Sequence, residues 1–264
     1  MTEPGGVLPL ALLGLTVLLL LALPCAAILR WKKRTGGSLW VVAAGALGFF
    51  LFVTLLEGAA HRLLFAGPRR LWLLARPWRF ALYGCAMAGI FEECGRYLLF
   101  RTLLKKQRDP SAALGAGLGH GCLEVLLHTA LPLAACLAVG LLYRQGGEGA
   151  AAQAGPLYRT ALGFTFWQGF FTLAERILAV VLHVSLSVVV FEAARENRPT
   201  RLLEAILLHG LADVPAALYQ YGLIGLGLTE LLFFLLVLRG TVPAARAAWA
   251  RLHRPPDAQR QFEL

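Results

Sequence analysis

Charge is scarce in this chain. Asp, Glu, Lys and Arg make up only 15% of the 264 residues, and no polar stretch is long enough to build a soluble domain. Length alone would allow one or two such domains; this composition leaves a single transmembrane domain over residues 1–264. Paired cysteines are missing as well. Cys25, Cys85, Cys94, Cys122 and Cys136 lie inside apolar runs with no CxxC spacing. That excludes a disulfide framework and a zinc knuckle, and leaves small packing residues. The first apolar run, Val7–Leu29, has no basic residues ahead of it, and its basic cluster (Arg30, Lys32, Lys33, Arg34) follows it. Such an order describes a retained helix with its N-terminus outside, not a signal peptide. The runs lack apolar–polar alternation, which excludes a β-barrel.

What the chain does have is long apolar runs. A hydrocarbon core about 30 Å thick needs about 20 apolar residues in a helix. The runs predict an all-α polytopic membrane bundle of about seven transmembrane helices, at about residues 7–29, 38–56, 80–100, 111–143, 172–191, 202–221 and 222–238. Residues 57–79 carry Arg62, Arg69, Arg70, Arg76 and Arg79 among Leu, Phe and Trp, and read as an interfacial helix or loop. The run at 111–143 starts after Asp109-Pro110, a helix-start signal, and its length implies tilt, a kink near Pro132, or extension beyond the bilayer. A Gly/Ala-rich linker at 145–156 leads to an aromatic amphipathic stretch at 157–171, lying on the outer surface or entering part-way. His61 and His253 fall in expected loops.

The net charge of +10 does not indicate a nucleic-acid partner, because the basic residues cluster in short loops between apolar runs. Sixteen Lys and Arg fall on one side of the expected layout, seven on the other, and Arg96 and Arg176 inside it. This bias puts the N-terminus outside and the C-terminus in the cytoplasm, in a multi-pass protein of the cell membrane. Oligomeric state has no signature in the sequence.

Against this background, Glu92-Glu93-Cys94-Gly95-Arg96 in the third run stands out, because a charged side chain at bilayer depth costs roughly 2.5–3.5 kcal/mol. Glu92 and Arg96 are i, i+4 with the acid N-terminal, the better orientation for a pair. His120 and Glu124 share one face of the fourth run, and His209 and Asp213 one face of the sixth; His183 stands alone in the fifth. At about 1.5 Å per residue, Glu92, His120 and His209 lie about 12–13 Å from the cytoplasmic ends of their helices, and Glu124, His183 and Asp213 about 18–20 Å. The third to sixth runs, about residues 80–221, would therefore enclose one polar slab. Imidazole and carboxylate converging in a low-dielectric interior are the ligands zinc prefers. Gly115, Gly117, Gly119 and Gly121 supply the small-xxx-small spacing that lets helices close around His120. The competing reading, a buried structural ion pair, is weakened because Arg96 cannot neutralise two carboxylates. His128 is read as structural, and Gln168 and Glu175-Arg176 as locally paired residues near the outer surface.

EExxR at Glu92–Arg96, the GHGxxE segment at Gly119–Glu124, the isolated His183 and HxxxD at His209–Asp213 resemble the YhfC family of intramembrane metalloproteases. That family is grouped with the CAAX prenyl proteases, the PrsW proteases and the gamma-secretase scaffold subunit. The resemblance implies that Glu92 is the general base activating a water, and that Glu93 and Arg96 orient it and stabilise charge. It also implies that His209 is a metal ligand, that Asp213 is a ligand or its supporting partner, and that His183 is a ligand. Glu124 matches the acidic end of the FxxxE motif of the PrsW group, whose phenylalanine position is His120 here, so both His120 and Glu124 stay open as ligands. The expected activity is zinc-dependent peptide hydrolysis on a membrane-embedded or membrane-anchored substrate. Two alternatives remain: a non-catalytic scaffold binding a partner helix in the same cleft, and a proton-coupled transporter, for which no inverted repeat is visible.

Overall fold

The computed structural model describes residues 7–144 and 155–254; most of the expected linker at 145–156, and Arg260, lie outside them. The described residues are helical, with no strand among them. In chain order the helices are α1 (Val7–Thr35), α2 (Leu39–Phe65), α3 (Arg69–Leu74), α4 (Pro77–Arg101), α5 (Ser111–Leu142), α6 (Gly155–Leu162), α7 (Phe166–Glu196), α8 (Pro199–Gln220) and α9 (Leu226–Leu252). Six of these, α1, α2, α5, α7, α8 and α9, are long and apolar enough to cross a membrane. With 25 residues α4 is also long enough, but it carries Arg79, Glu92, Glu93, Arg96 and Arg101 and falls outside that apolar set.

Local chemistry explains where the helices begin. Ser38 caps α2 by accepting from the Trp40 N–H, and Asp109 Oδ1 accepts from the Ser111 N–H at 2.8 Å at the start of α5. Thr165 and Gln168 form a reciprocal capping box, so α7 starts at Phe166 and not near residue 172. The aromatic residues Phe166–Phe171, expected to lie outside the helix, are therefore its first turns. Asn197, at φ 53°, ends α7 in the left-handed conformation, and Pro199 opens α8 directly afterwards.

Other boundaries differ from expectation because π-helical segments let helices continue. Val125–Ala130 is π-helical just before Pro132, and Val237–Thr241 just before Pro243. A proline has no N–H and its ring crowds the carbonyl four residues earlier, which here lies inside the π segment in both cases. The expected disruption near Pro132 takes this form. Arg239, Arg246 and Arg251, expected in a tail, are consequently part of α9. A third π segment, Phe50–Glu57, carries α2 on to Phe65. His61 is thus a helical residue and not a loop one: Tyr83 donates to its Nδ1 at 2.6 Å, and its Nε2 lies 3.2 Å from Glu57 Oε1.

Backbone contact at glycines brings the helices together around the polar residues. A Cβ on Gly45 would meet Ala116 O at 2.0 Å, and one on Gly119 would meet Val42 O at 1.9 Å, so α2 and α5 cross with no side chain between them. Gly117 meets Val184 of α7 in the same way, and Gly89 of α4 meets the Ile206 carbonyl of α8. The most buried of the six apolar spans, α7, runs through the middle.

The helix ends gather accordingly. Arg101 donates to Ala194 O at 3.1 Å, Arg195 donates to Leu104 O at 2.7 Å, and Trp31 donates to Ser111 O at 3.2 Å. Arg251 of α9 grips the fully buried Glu192 of α7 with two hydrogen bonds. At the opposite end Tyr221, just after α8, donates to Leu74 O at 2.9 Å. Basic ends of α1, α4, α7 and α9 therefore share one end of the bundle, and α4 runs from one end to the other.

Candidate functional site

Four helices meet at Glu92. His120 of α5 donates from Nε2 to Glu92 Oε2 at 2.7 Å. His183 Nδ1 of α7 and His209 Nε2 of α8 lie 3.7 and 3.9 Å from that same oxygen. All four side chains are buried. Three imidazoles from three helices are aimed at one carboxylate oxygen.

The next residue, Glu93, is fully buried and is held from two sides. Arg96 donates to Oε2, and His209 donates from Nδ1 to Oε1 at 2.6 Å. Arg96 therefore pairs with Glu93 at i, i+3, and not with Glu92 as the i, i+4 spacing suggested. A proton on Nδ1 leaves the Nε2 lone pair of His209 facing Glu92 and Asp213, whose Oδ2 is 3.6 Å away. Arg96 Nη2 also lies 3.2 Å from His183 Nδ1, while His183 Nε2 sits against Glu124 Oε2. Glu124 Oε1 accepts in turn from Arg176 Nη1 at 2.8 Å, and Arg176 reaches Glu175 with its other amino group. The result is one continuous polar network from α4 through α7 and α8 to α5.

A cavity of about 210 Å³ opens beside this network, with room for several waters. Glu92, Glu124, His183, His209 and Asp213 are on its wall, while His120 sits behind Glu92 and is not. The wall also includes residues of α9, among them Glu230 and Phe233, so the site extends beyond the expected 80–221 core. Arg176 and Glu175 line it too; they pair with each other as expected, but Arg176 also bridges to Glu124 of α5 and the pair faces the cavity. The missed residue is Glu230. Its signal was available, as a single carboxylate inside an otherwise apolar run. His128, by contrast, is exposed and rests edge-on against Phe49.

Glu92, His183 and His209 offer ligand atoms that all lie within 4.8 Å of one another, and all three are buried. One carboxylate and two imidazoles make up a donor set used by catalytic zinc. His209 also has the carboxylate-backed Nδ1 that orients a metal-binding imidazole. The residues fit a divalent metal ion.

Comparison with known proteins agrees with this geometry. The family described as YhfC intramembrane metalloprotease matches residues 18–233. The uncharacterized membrane protein YhfC of Bacillus subtilis (strain 168) is 37% identical over 232 residues, covering 85% of this chain and 89% of the relative. No solved structure gives a significant match. A multi-pass integral membrane protein whose polar residues converge in this way over the matched region, the chain belongs to the YhfC intramembrane metalloprotease family.

Proposed function

We propose that this protein is an intramembrane metal-dependent endopeptidase that hydrolyses a peptide bond of a membrane-embedded or membrane-anchored substrate. The observation that carries the reading is the convergence of two metal-competent imidazoles and the Glu92 carboxylate on a cavity with room for several waters. Hydrolysis at bilayer depth needs a place where scarce water is held and activated, and the cavity is such a place. A bound zinc ion would supply Lewis-acid activation of water and of the scissile carbonyl.

The chain's own residues take the remaining roles. His183 and His209 would hold the ion, with Glu124 and Asp213 beside them on the cavity wall. Glu93 keeps the His209 proton on Nδ1, so Nε2 stays free to bind. Glu92 takes the water's proton, and His120 steadies it by donating to Oε2. Arg96 fixes both Glu93 and His183. The grouping of Glu92 with His183 and His209 favours a second assignment, in which Glu92 is the third ligand.

The same reading counts α4 as a seventh span, with the N-terminus outside and the C-terminus in the cytoplasm. Its support is the excess of Lys and Arg at the shared basic end of the bundle.

Metal analysis of the purified protein together with a peptide-cleavage assay tests the proposal. The wild type is expected to hold one equivalent of zinc, and His209→Ala to lose it. Glu92→Gln is expected to lower cleavage by about 10²–10⁴-fold. Retained zinc in that variant assigns Glu92 as the base, and lost zinc assigns it as a ligand. Protein that cleaves equally well without metal would sink the reading.

A further inference from the structure

The basic end of the bundle holds a second concave feature, apart from the histidines. A pocket of about 190 Å³ lies where α4 and α7 end, lined by Phe100, Arg101, Lys105, Arg108, Ala194 and Arg195. Three guanidinium groups and one ammonium group face a single space, and no carboxylate is on its wall. Nearby acids are committed elsewhere: Glu192 to Arg251, Glu196 to Arg198, and Asp109 to the start of α5. Two of the guanidinium groups are fixed in place. Arg101 donates to Ala194 O and lies 5.9 Å from the centre of the Tyr97 ring. Arg195 donates to Leu104 O and Lys105 O and lies 4.8 Å from the centre of the Phe191 ring. Those carbonyls bring no net charge, so the pocket stays cationic, and the mutual repulsion of its groups is relieved by an anion. The positive-inside bias accounts for basic residues at this end. It does not account for their convergence from α4, the following turn and α7 on one pocket.

We propose that this pocket binds a phosphate group, presented by an anionic phospholipid or as free inorganic phosphate. Arginine forks match phosphate oxygens in geometry as well as charge, and basic pockets between membrane helices receive anionic headgroups. Arg101, Lys105 and Arg108 are exposed, so the pocket is open from outside the bundle. Leu98, one turn before Arg101, and Leu103, just after it, are 47% and 51% exposed, an apolar surface of the kind that acyl chains cover. The pocket shares no lining residue with the histidine cavity and does not depend on the endopeptidase reading. Its effect still reaches that cavity. Arg101 of α4 holds α7, and Arg195 of α7 holds the turn after α4, so an anion between them ties together the helices that carry Glu92 and His183.

Native mass spectrometry of the full-length protein in detergent tests this. The protein is titrated with phosphatidylglycerol, with phosphatidylcholine of the same acyl chains, and with inorganic phosphate. If the lipid is the source, phosphatidylglycerol should bind about tenfold more tightly than phosphatidylcholine and stay bound in millimolar phosphate. If free phosphate is the source, inorganic phosphate should bind by itself and the two lipids should bind alike. The variant is Lys105→Gln with Arg108→Gln, because both side chains are exposed and Arg101 and Arg195, which hold the helix ends, are left intact. It should bring the lipid preference below about twofold, or abolish phosphate binding, without moving the thermal unfolding midpoint. Lys32→Gln with Lys33→Gln removes the same net charge from the end of α1, outside the pocket, and should leave binding as in the wild type. Equal binding of the two lipids with no binding of inorganic phosphate overturns the site. So does anion binding that survives the Lys105/Arg108 variant, or that falls equally in the Lys32/Lys33 variant.

Discussion

Arg96 shows how far a single position can be read from spacing. The pattern EExxR singles out the residue, and the cost of burying charge explains why it needs a partner. Spacing does not say which of two adjacent carboxylates it takes, because that depends on what the neighbouring helices press against α4. His120 and His183 occupy the side of Glu92, and His209 approaches Glu93, so the guanidinium settles between Glu93 and His183. Glu93 has no exposure, and replacing it with Gln would leave the Arg96 charge buried and unpaired. Breaking a buried pair in this way costs about 3–5 kcal/mol. Glu93→Gln should therefore lower the unfolding midpoint in detergent well beyond the change caused by Asp213→Asn, whose side chain is one-third exposed (34%). Equal midpoints for the two variants would show that Glu93 does not hold the fold. The eight candidate positions were all legible as residues, whereas their partners were set by helices far away in sequence. Glu124 is the clearest case, since its bond to Arg176 spans 52 residues.

At the scale of elements, the apolar runs located the helices, but their ends depend on backbone features that hydropathy does not register. The π segments at Val125–Ala130 and Val237–Thr241 let helices pass Pro132 and Pro243 where hydropathy alone implies a kink or an end. The glycines of α5 were legible as a packing stripe, and the crossing they permit has a measurable consequence. A Cβ on Gly119 would sit 1.9 Å from Val42 O, a backbone atom that cannot rotate away. Gly119→Ala is expected to push α2 off α5 and destabilise the fold by about 1–3 kcal/mol, the usual cost of overpacking. It should also displace the adjacent His120 and so lower cleavage. Gly84 is the control: it lies in α4, and a Cβ added there would meet nothing within 4 Å, so Gly84→Ala should be neutral or stabilise by up to about 1 kcal/mol. Thermal unfolding of the two variants side by side checks this, and equal midpoints would mean that the α2–α5 crossing tolerates a methyl group.

At the scale of the whole molecule, the open question is α4. By composition it is the least membrane-like of the long helices, yet it carries Glu92, Glu93 and Arg96 and runs from the Leu74–Tyr221 end of the bundle to the Ala194 end. Its charges do not argue against a span, because Glu92, Glu93 and Arg96 are buried against other helices and face no lipid. Hydropathy treats a residue as though it met the bilayer alone, and so undervalues a helix whose polar side is enclosed by protein. The two possible placements of α4 make opposite predictions for its flanks. If α4 crosses the membrane, Ala66 in the turn after α2 and Lys106 after α4 lie on opposite sides; if it does not, they lie on the same side. Both positions are exposed, and of the five native cysteines only Cys25 is exposed, so a cysteine-free background isolates the introduced thiols. In intact cells a membrane-impermeant maleimide should label Ala66→Cys, and it should label Lys106→Cys only after permeabilisation. Labelling of both in intact cells, or of neither, would remove α4 from the spans and reduce the count to the six that hydropathy alone supports.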